Sequence, residues 1–381
     1  MNGQGYGWRL SLFYGLLFTT LGIHLPYLPL WLAANGLSAT EISLILAVPV
    51  IMRVVATPLL AGLADTGFGR RRALAAYAAA TAALFAVMAL QHGFAAILLL
   101  AAAYAAFLGP LMPITEAVAM RGVRLYRLDY GRMRLWGSAT FIAANFAGGL
   151  AISAKGAGVV VWMLAAAAGA MAVAALLLPR DEEAAAPVRR PGLSHWHLPR
   201  AVVPVVLASA LIQSSHAAYY GFGSLNFRAE GYGGVAIGAF WAIGVAAEIA
   251  FFYAVGRSRF ASRPRPLLIA GGLAALVRWP LMALPLSAVP LGLVQTLHAL
   301  TFAATHYAAI REIGARVPEA RAAAVQAMSF TVNGVAMSLA MLAVGPLYGA
   351  YGAAAYLAAA LPALCGLGLA AFAFSSAPEG G

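Results

Sequence analysis

Charged residues make up only 9% of this 381-residue chain, against about 25% in soluble globular proteins. So few charges cannot cover a water-facing surface of this size, so lipid is the solvent the chain is built for. The same shortage excludes a disordered polar chain, a collagen repeat and a charged coiled coil. Lysine is nearly absent: Lys155 stands alone beside 23 arginines and 12 acids. The single cysteine, Cys365, leaves no internal disulfide, no CxxC pair and no cysteine cluster for a metal. There is no GxxxxGK[ST] phosphate loop, so ATP-driven work by this chain alone is not supported. HExxH and Ser/His/Asp or paired-carboxylate spacing are missing too, and neither an enzyme nor a metal site is expected.

What is there is apolar. Hydrophobic residues reach 63% and mean hydropathy is +0.85. A helix needs about 20 apolar residues to cross the hydrocarbon core. Twelve stretches qualify, at about 9–34, 38–64, 71–91, 94–120, 131–153, 157–178, 201–227, 233–256, 265–285, 288–312, 319–347 and 350–375. The start, MNGQGYGWRL, runs into the first stretch without a small-residue cleavage site and reads as a retained span. The net charge of +12 sits in short loops between spans, so a membrane explains it before nucleic acid does. With the N-terminus inside, inner segments hold 20 arginines and outer loops hold 2 basic residues, Lys155 and Arg228. That asymmetry predicts two cytoplasmic termini. High arginine and alanine point to a GC-rich bacterium, hence its inner membrane.

The longest polar stretch, 179–200, is Pro-rich and charged at both ends, and reads as a cytoplasmic linker. It divides the chain into six-span bundles at 1–178 and 201–381. Gly36 and Gly231 open spans two and eight in this reading. Ile42 with Ile237, and Arg53 with Glu248, repeat the same offset of 195 residues, as a duplicated six-helix unit would.

The loop after span two reads Ala61-Gly62-Leu63-Ala64-Asp65-Thr66-Gly67-Phe68-Gly69-Arg70-Arg71-Arg72. It resembles the Gly-x-Leu-Ala-Asp-Arg-x-Gly-Arg-Arg signature of the major facilitator superfamily. Ala61 replaces the first glycine, Thr66 stands where a base is usual, and Gly69 comes one residue late. Further motifs are Leu128-Asp129-Tyr130-Gly131-Arg132-Met133-Arg134, His216-Ala217-Ala218-Tyr219-Tyr220, Gly244-Val245-Ala246-Ala247-Glu248 and Val277-Arg278-Trp279. Together they resemble the phenylpropionate permease branch, neighbouring the oligosaccharide/proton symporters. The resemblance implies an all-α fold of two pseudo-symmetric six-helix bundles that rock around a mid-bilayer cavity. It implies proton-coupled symport of a small organic solute, in particular an aromatic carboxylate such as 3-phenylpropionate. A sugar or nucleoside symporter, a proton-driven drug exporter and a membrane sensor on a transporter scaffold are the alternatives. Partners would be the solute and the bilayer, with no nucleic acid; no cofactor beyond the coupling proton is expected, and the chain is expected to act as a monomer.

An ionisable group at bilayer depth costs at least about 2.5 kcal/mol and persists only against a partner or water. Arg53, mid-span, reads as a fixed charge for an anionic solute, or else as half of a structural ion pair. Glu248 reads as a proton carrier, since a carboxylate in a partly dry cavity can load and release a proton near neutral pH; neutralising Arg53 is its other reading. Glu116 and Arg134 match an acid on span four and a base on span five that the sugar symporters use for binding. An inner-end salt bridge explains them equally simply. Arg278 reads mainly as a packing residue, because outer-layer spans of this fold often face lipid. His24, His216, His298 and His306 fall on spans that line the cavity in this fold. Each can titrate near neutrality or simply pack, and His298 and His306, eight apart, share a helix face. Tyr219 and Tyr220 are mid-span and can stack on an aryl group. The expected solute-binding set is therefore Arg53, His24, His216, Tyr219, Tyr220 and Arg134. The proton-coupling set is Glu248, Glu116, His298 and His306, and Asp65, Arg70 and Arg71 form a gating loop.

Overall fold

The computed structural model describes residues 3–66, 68–179, 198–258 and 263–373, and among them every regular element is helical. The helices are α1 (Gly3–Ala34), α2 (Ala39–Ala64), α3 (Arg70–Ala89), α4 (Phe94–Tyr126), α5 (Tyr130–Lys155), α6 (Val159–Leu177), α7 (Val203–Ser214), α8 (Ala217–Ala229), α9 (Gly234–Val255), α10 (Pro264–Met282), α11 (Ala288–Thr296), α12 (Thr305–Arg316), α13 (Glu319–Tyr351) and α14 (Ala355–Ala373). A π-helical segment, Ala299–Ala304, joins α11 to α12. Each of the twelve predicted spans falls on one helix or on one interrupted helix. Nine helical stretches among the described residues are long and apolar enough to cross a membrane. The most exposed large side chains include Leu99, Val289 and Phe372, as expected where lipid replaces water outside the bundle. The expected linker lies almost wholly outside the described residues, as do Arg180, Arg189, Arg190 and Arg259.

Two compact units emerge. The first comprises Met1–Arg189 and Phe227–Ala242, the second Arg190–Asn226 and Ile243–Gly381. Helix α9 is therefore divided between them at 242/243. In the first unit α1 packs on α5 and α6, α2 on α4, and α3 on α6. In the second, α7 packs on α13 and α14, while α10 packs on α14, α12 and the π segment.

The repeat read from the sequence has a local structural counterpart. Gly36 and Gly231 close the helices before them rather than opening those after. Both adopt positive φ, +79° and +90°, a conformation that costs glycine little. Leu37 N–H reaches Leu32 C=O, and Tyr232 N–H reaches Phe227 C=O, the same six-to-one closure in both places. The next helices then begin 195 residues apart, at Ala39 and Gly234.

One glycine in the second unit holds two backbones together. A Cβ on Gly271 of α10 would collide with Thr305 Cγ2 and lie 2.8 Å from the Leu300 carbonyl oxygen of the π segment. The carbonyl belongs to the backbone and cannot rotate away. Gly271→Ala is therefore expected to destabilise the protein by about 1–3 kcal/mol, read as a lower thermal midpoint in detergent; an unchanged midpoint would show that the π segment gives way freely.

Candidate functional site

The functional residues of the second unit gather on four spans. Two of those spans are broken at the site. The seventh is interrupted between Ser214 and Ala217, where side chains compete for backbone carbonyls. Ser215 Oγ donates to Ile212 C=O at 2.5 Å, and His216 Nδ1 donates to Gln213 C=O at 3.0 Å. The tenth carries the π segment, a rare element that concentrates at functional positions. It brings Thr301 beside His298 and Gln295.

Arg278 is the centre of this cluster and is 0% exposed. Its Nη1 donates to Thr301 Oγ1 at 3.1 Å and to His298 Nδ1 at 3.2 Å, with His216 Nε2 at 3.4 Å; Nη2 donates to Gln295 Oε1 at 3.1 Å. The Tyr219 and Trp279 rings each lie 4.9 Å from the guanidinium carbon, a further attraction for a buried cation. Trp279 Nε1 donates to Ser215 Oγ at 2.8 Å, tying α10 to the break in span seven.

These bonds assign the tautomers. Arginine only donates, so His298 Nδ1 is bare and its proton is on Nε2. His216 carries its proton on Nδ1, facing Gln213, and its Nε2 accepts from the Thr301 hydroxyl at 2.9 Å. His298 Nε2 points toward Glu248 Oε2 at 3.8 Å, within ion-pair reach but beyond a direct hydrogen bond. The Glu248 side chain is 25% exposed. Glu248, His298, Arg278, Thr301 and His216 thus form one chain from a partly exposed carboxylate to a buried imidazole. Tyr220 stacks on His216, with centroids 5.6 Å apart. His306 stands apart, reached from His298 through the intervening Phe302 ring.

The first unit places its candidates in three groups. Arg53 on α2 is exposed, and among the described residues it has no hydrogen-bond or ion-pair partner. Its stem packs on α4, where a Cβ on Gly109 would lie 3.2 Å from Arg53 Cγ. His24 Nε2 shares a 2.9 Å hydrogen bond with the Tyr104 hydroxyl. Near the start of α5, Asp129 caps the helix by accepting from Arg132 N–H at 3.1 Å. Tyr130 and Arg134, one turn apart, both reach Glu116: the Tyr130 hydroxyl donates to Oε2 at 2.8 Å, and Arg134 Nε lies 3.7 Å from Oε1. The Arg134 guanidinium also covers the Phe18 ring at 4.2 Å. In the loop after α2, Arg70 Nε and Nη2 both meet Asp65 Oδ1 at 2.8 Å. Arg71 sits half-buried in the first turn of α3, and Gly67 of that loop lies outside the described residues.

Sequence reasoning did not single out Gln295 or Thr301, although they flank His298 at i−3 and i+3 on its helix face. It gave Arg278 a packing role; the structure puts that residue at the hub, with no exposure through which a solute could touch it. Glu312 was missed as well. It is buried and pairs with Arg316 one turn on.

A helical bundle of many apolar spans enclosing a buried arginine defines a multi-pass membrane protein. Residues 7–358 match the MFS_1 like family, and the chain belongs to that family of major facilitator transporters. It is 31% identical over 311 residues to a probable 3-phenylpropionic acid transporter of Escherichia coli (strain K12), covering 81% of this chain and 82% of the relative. It is 34% identical over 141 residues to a maltose permease of Geobacillus stearothermophilus, covering 36% and 35%. Among solved structures, the nucleoside transporter NupG in its D323A mutant form superposes with a TM-score of 0.84 at 17% identity, over 97% of this chain and 100% of that one. That last likeness concerns the fold alone.

Proposed function

We propose that the protein is a proton-coupled symporter of a small organic carboxylate, an aryl acid such as 3-phenylpropionate, working by alternating access in a bacterial inner membrane with both termini cytoplasmic. The observation that carries the coupling is the Glu248–His298–Arg278 chain. His298 cannot take a proton on Nδ1 without giving up the bond from Arg278. Glu248 is the partly exposed, titratable end of the chain and therefore the proton carrier. When it is charged, it answers the buried Arg278 cation through the imidazole; when it is protonated, that compensation is lost and the chain rearranges. Such a change ties proton occupancy to conformation, as a symporter needs. The carboxylate class is supported by Arg53, an intramembrane cation without an ion-pair partner among the described residues, and by the name of the Escherichia coli relative.

The test is reconstitution in liposomes containing an internal pH dye. Adding 3-phenylpropionate should acidify the lumen beyond the leak seen in empty liposomes. Glu248→Gln should abolish proton-driven accumulation while leaving solute exchange across the membrane; accumulation that still follows the pH gradient would remove Glu248 from the mechanism. A sugar is the second reading, favoured by the stretch shared with the maltose permease. Acidification by maltose and not by the aryl acid would select it.

A further inference from the structure

The second unit contains a small cleft of mixed polar and apolar lining away from the Arg278 cluster. It lies among α7, α12 and α13, and Ser209, Gln213, His306, Gln326, Ser329 and Asn333 supply its polar lining. Among the described residues no charged side chain borders it. The cleft is partly open and has room for about one water molecule. Its amides are ordered by one another: Asn333 Nδ2 donates to Gln213 Oε1 at 2.7 Å, Gln213 Nε2 to Ser209 Oγ at 3.1 Å, and Ser209 Oγ to Thr305 C=O at 3.2 Å. His306 is different. Among the described residues its ring nitrogens form no hydrogen bond, and its imidazole is held only by ring faces. Phe302 lies 6.0 Å away and nearly parallel, and Phe330 lies 5.8 Å away and tilted.

Two packing contacts link this cleft to the central cluster. One is the column His298, Phe302, His306, in which successive centroids are 5.2 and 6.0 Å apart. The other is Gln213, whose side chain lines the cleft while its carbonyl holds His216 Nδ1. Among the described residues, α7 contributes Ser209 and Gln213 to the polar lining of the cleft, and α13 contributes Gln326, Ser329 and Asn333. On its own span the titratable and charged neighbours are Tyr307, the next residue, then Arg311 and Glu312, with His298 beyond Phe302. His306 precedes Arg316 by ten residues, about 15 Å of helix, and loop charge places Arg316 at the cytoplasmic end. A titratable ring without a protein partner, facing hydrogen-bonding groups spaced for water, is suited to exchanging protons with that water.

We infer that this cleft is a water-holding proton port on the cytoplasmic side of the second unit, with His306 as its exchange group. A hydrated proton released from the central cluster binds a bare ring nitrogen of His306. The same ring then returns a proton to water at the cleft mouth, so only N–H bonds form and break and His306 ends unchanged. This assignment rests on the proton-coupled reading above.

The experiment compares wild type, His306→Gln and Asn333→Leu in liposomes, with 3-phenylpropionate as the solute. His306→Gln keeps a hydrogen-bonding side chain but removes the titrating ring, and Asn333→Leu dries the cleft without touching His306. Two rates are read: net solute-driven proton flux, and counterflow of labelled against unlabelled solute, which needs no proton release. Net flux should fall at least about tenfold in the glutamine variant, in the range lost with a proton-transfer group. It should fall in the leucine variant as well, with counterflow retained in both. Net flux at the wild-type rate in both variants overturns the port, and so does a parallel fall in counterflow, which would put His306 on the solute path. A wild-type protein that moves the solute without protons overturns the coupling itself, and the port with it.

Discussion

Replacing Arg278 with methionine is expected to abolish transport and to destabilise the second unit by about 3–5 kcal/mol, the cost of breaking a buried charged network from one side. Methionine fills similar volume, so the loss is in hydrogen bonds rather than in packing. Gln295 Oε1, Thr301 Oγ1 and His298 Nδ1 each lose their charged donor, and an orphaned buried acceptor costs about 1–3 kcal/mol. Freed of its bond from Nη1, His298 can change tautomer, and Glu248 no longer faces a fixed N–H. The thermal midpoint in detergent should drop by roughly 10 °C. Arg278→Lys separates charge from shape. An ammonium keeps the cation but cannot span from Gln295 on one side to His298 and Thr301 on the other. The lysine variant should therefore regain part of the stability and little of the transport. A methionine variant that unfolds at the wild-type temperature would show that the guanidinium does not hold the cluster together.

Hydropathy alone revealed the helices, because lipid forces each span to satisfy its own backbone and so fixes both its length and its composition. Asp65 and Arg70 could be read as a pair because the loop that joins them is short. Tyr130 and Arg134 have helical spacing, so their convergence on one acid was also within reach of the sequence. The interruptions were not. Span seven breaks at Ser215 and His216 without a proline or glycine at either position. The cause is side-chain bonding to the preceding turn, reinforced by Trp279 from another helix. The π segment ALTFAA likewise carries no local mark. Arg278 illustrates the deeper limit. A charge within a span declares itself in the sequence, but whether it meets lipid, a cavity or a polar cluster depends on how α10 is rotated. That rotation is set by contacts such as Gly271 against the π segment, which no periodicity in α10 encodes.

Arg53 should behave in the opposite way, and the contrast follows from surroundings rather than from residue type. Arg278 is enclosed and spends its guanidinium on hydrogen bonds within its own unit; Arg53 is exposed and, among the described residues, makes no hydrogen bond or ion pair. Arg53→Gln should therefore leave the thermal midpoint almost unchanged, since surface substitutions without partners stay within about 0.5 kcal/mol. Its effect should fall on the solute. A hydrogen bond to a charged group contributes about 1.5–3 kcal/mol, so the KM for 3-phenylpropionate should rise about 10- to 100-fold. The neutral amide of the same acid supplies the control, because it offers a guanidinium no charge and its weak binding should not change between wild type and variant. Arg53→Lys should lie between the two, keeping the charge and losing the two-pronged grip on a carboxylate. An equal loss for acid and amide would mean that Arg53 shapes the path without reading the charge. No loss for either would free the carboxylate assignment from Arg53 and turn attention to Arg134, whose guanidinium is shared between Glu116 and the Phe18 ring.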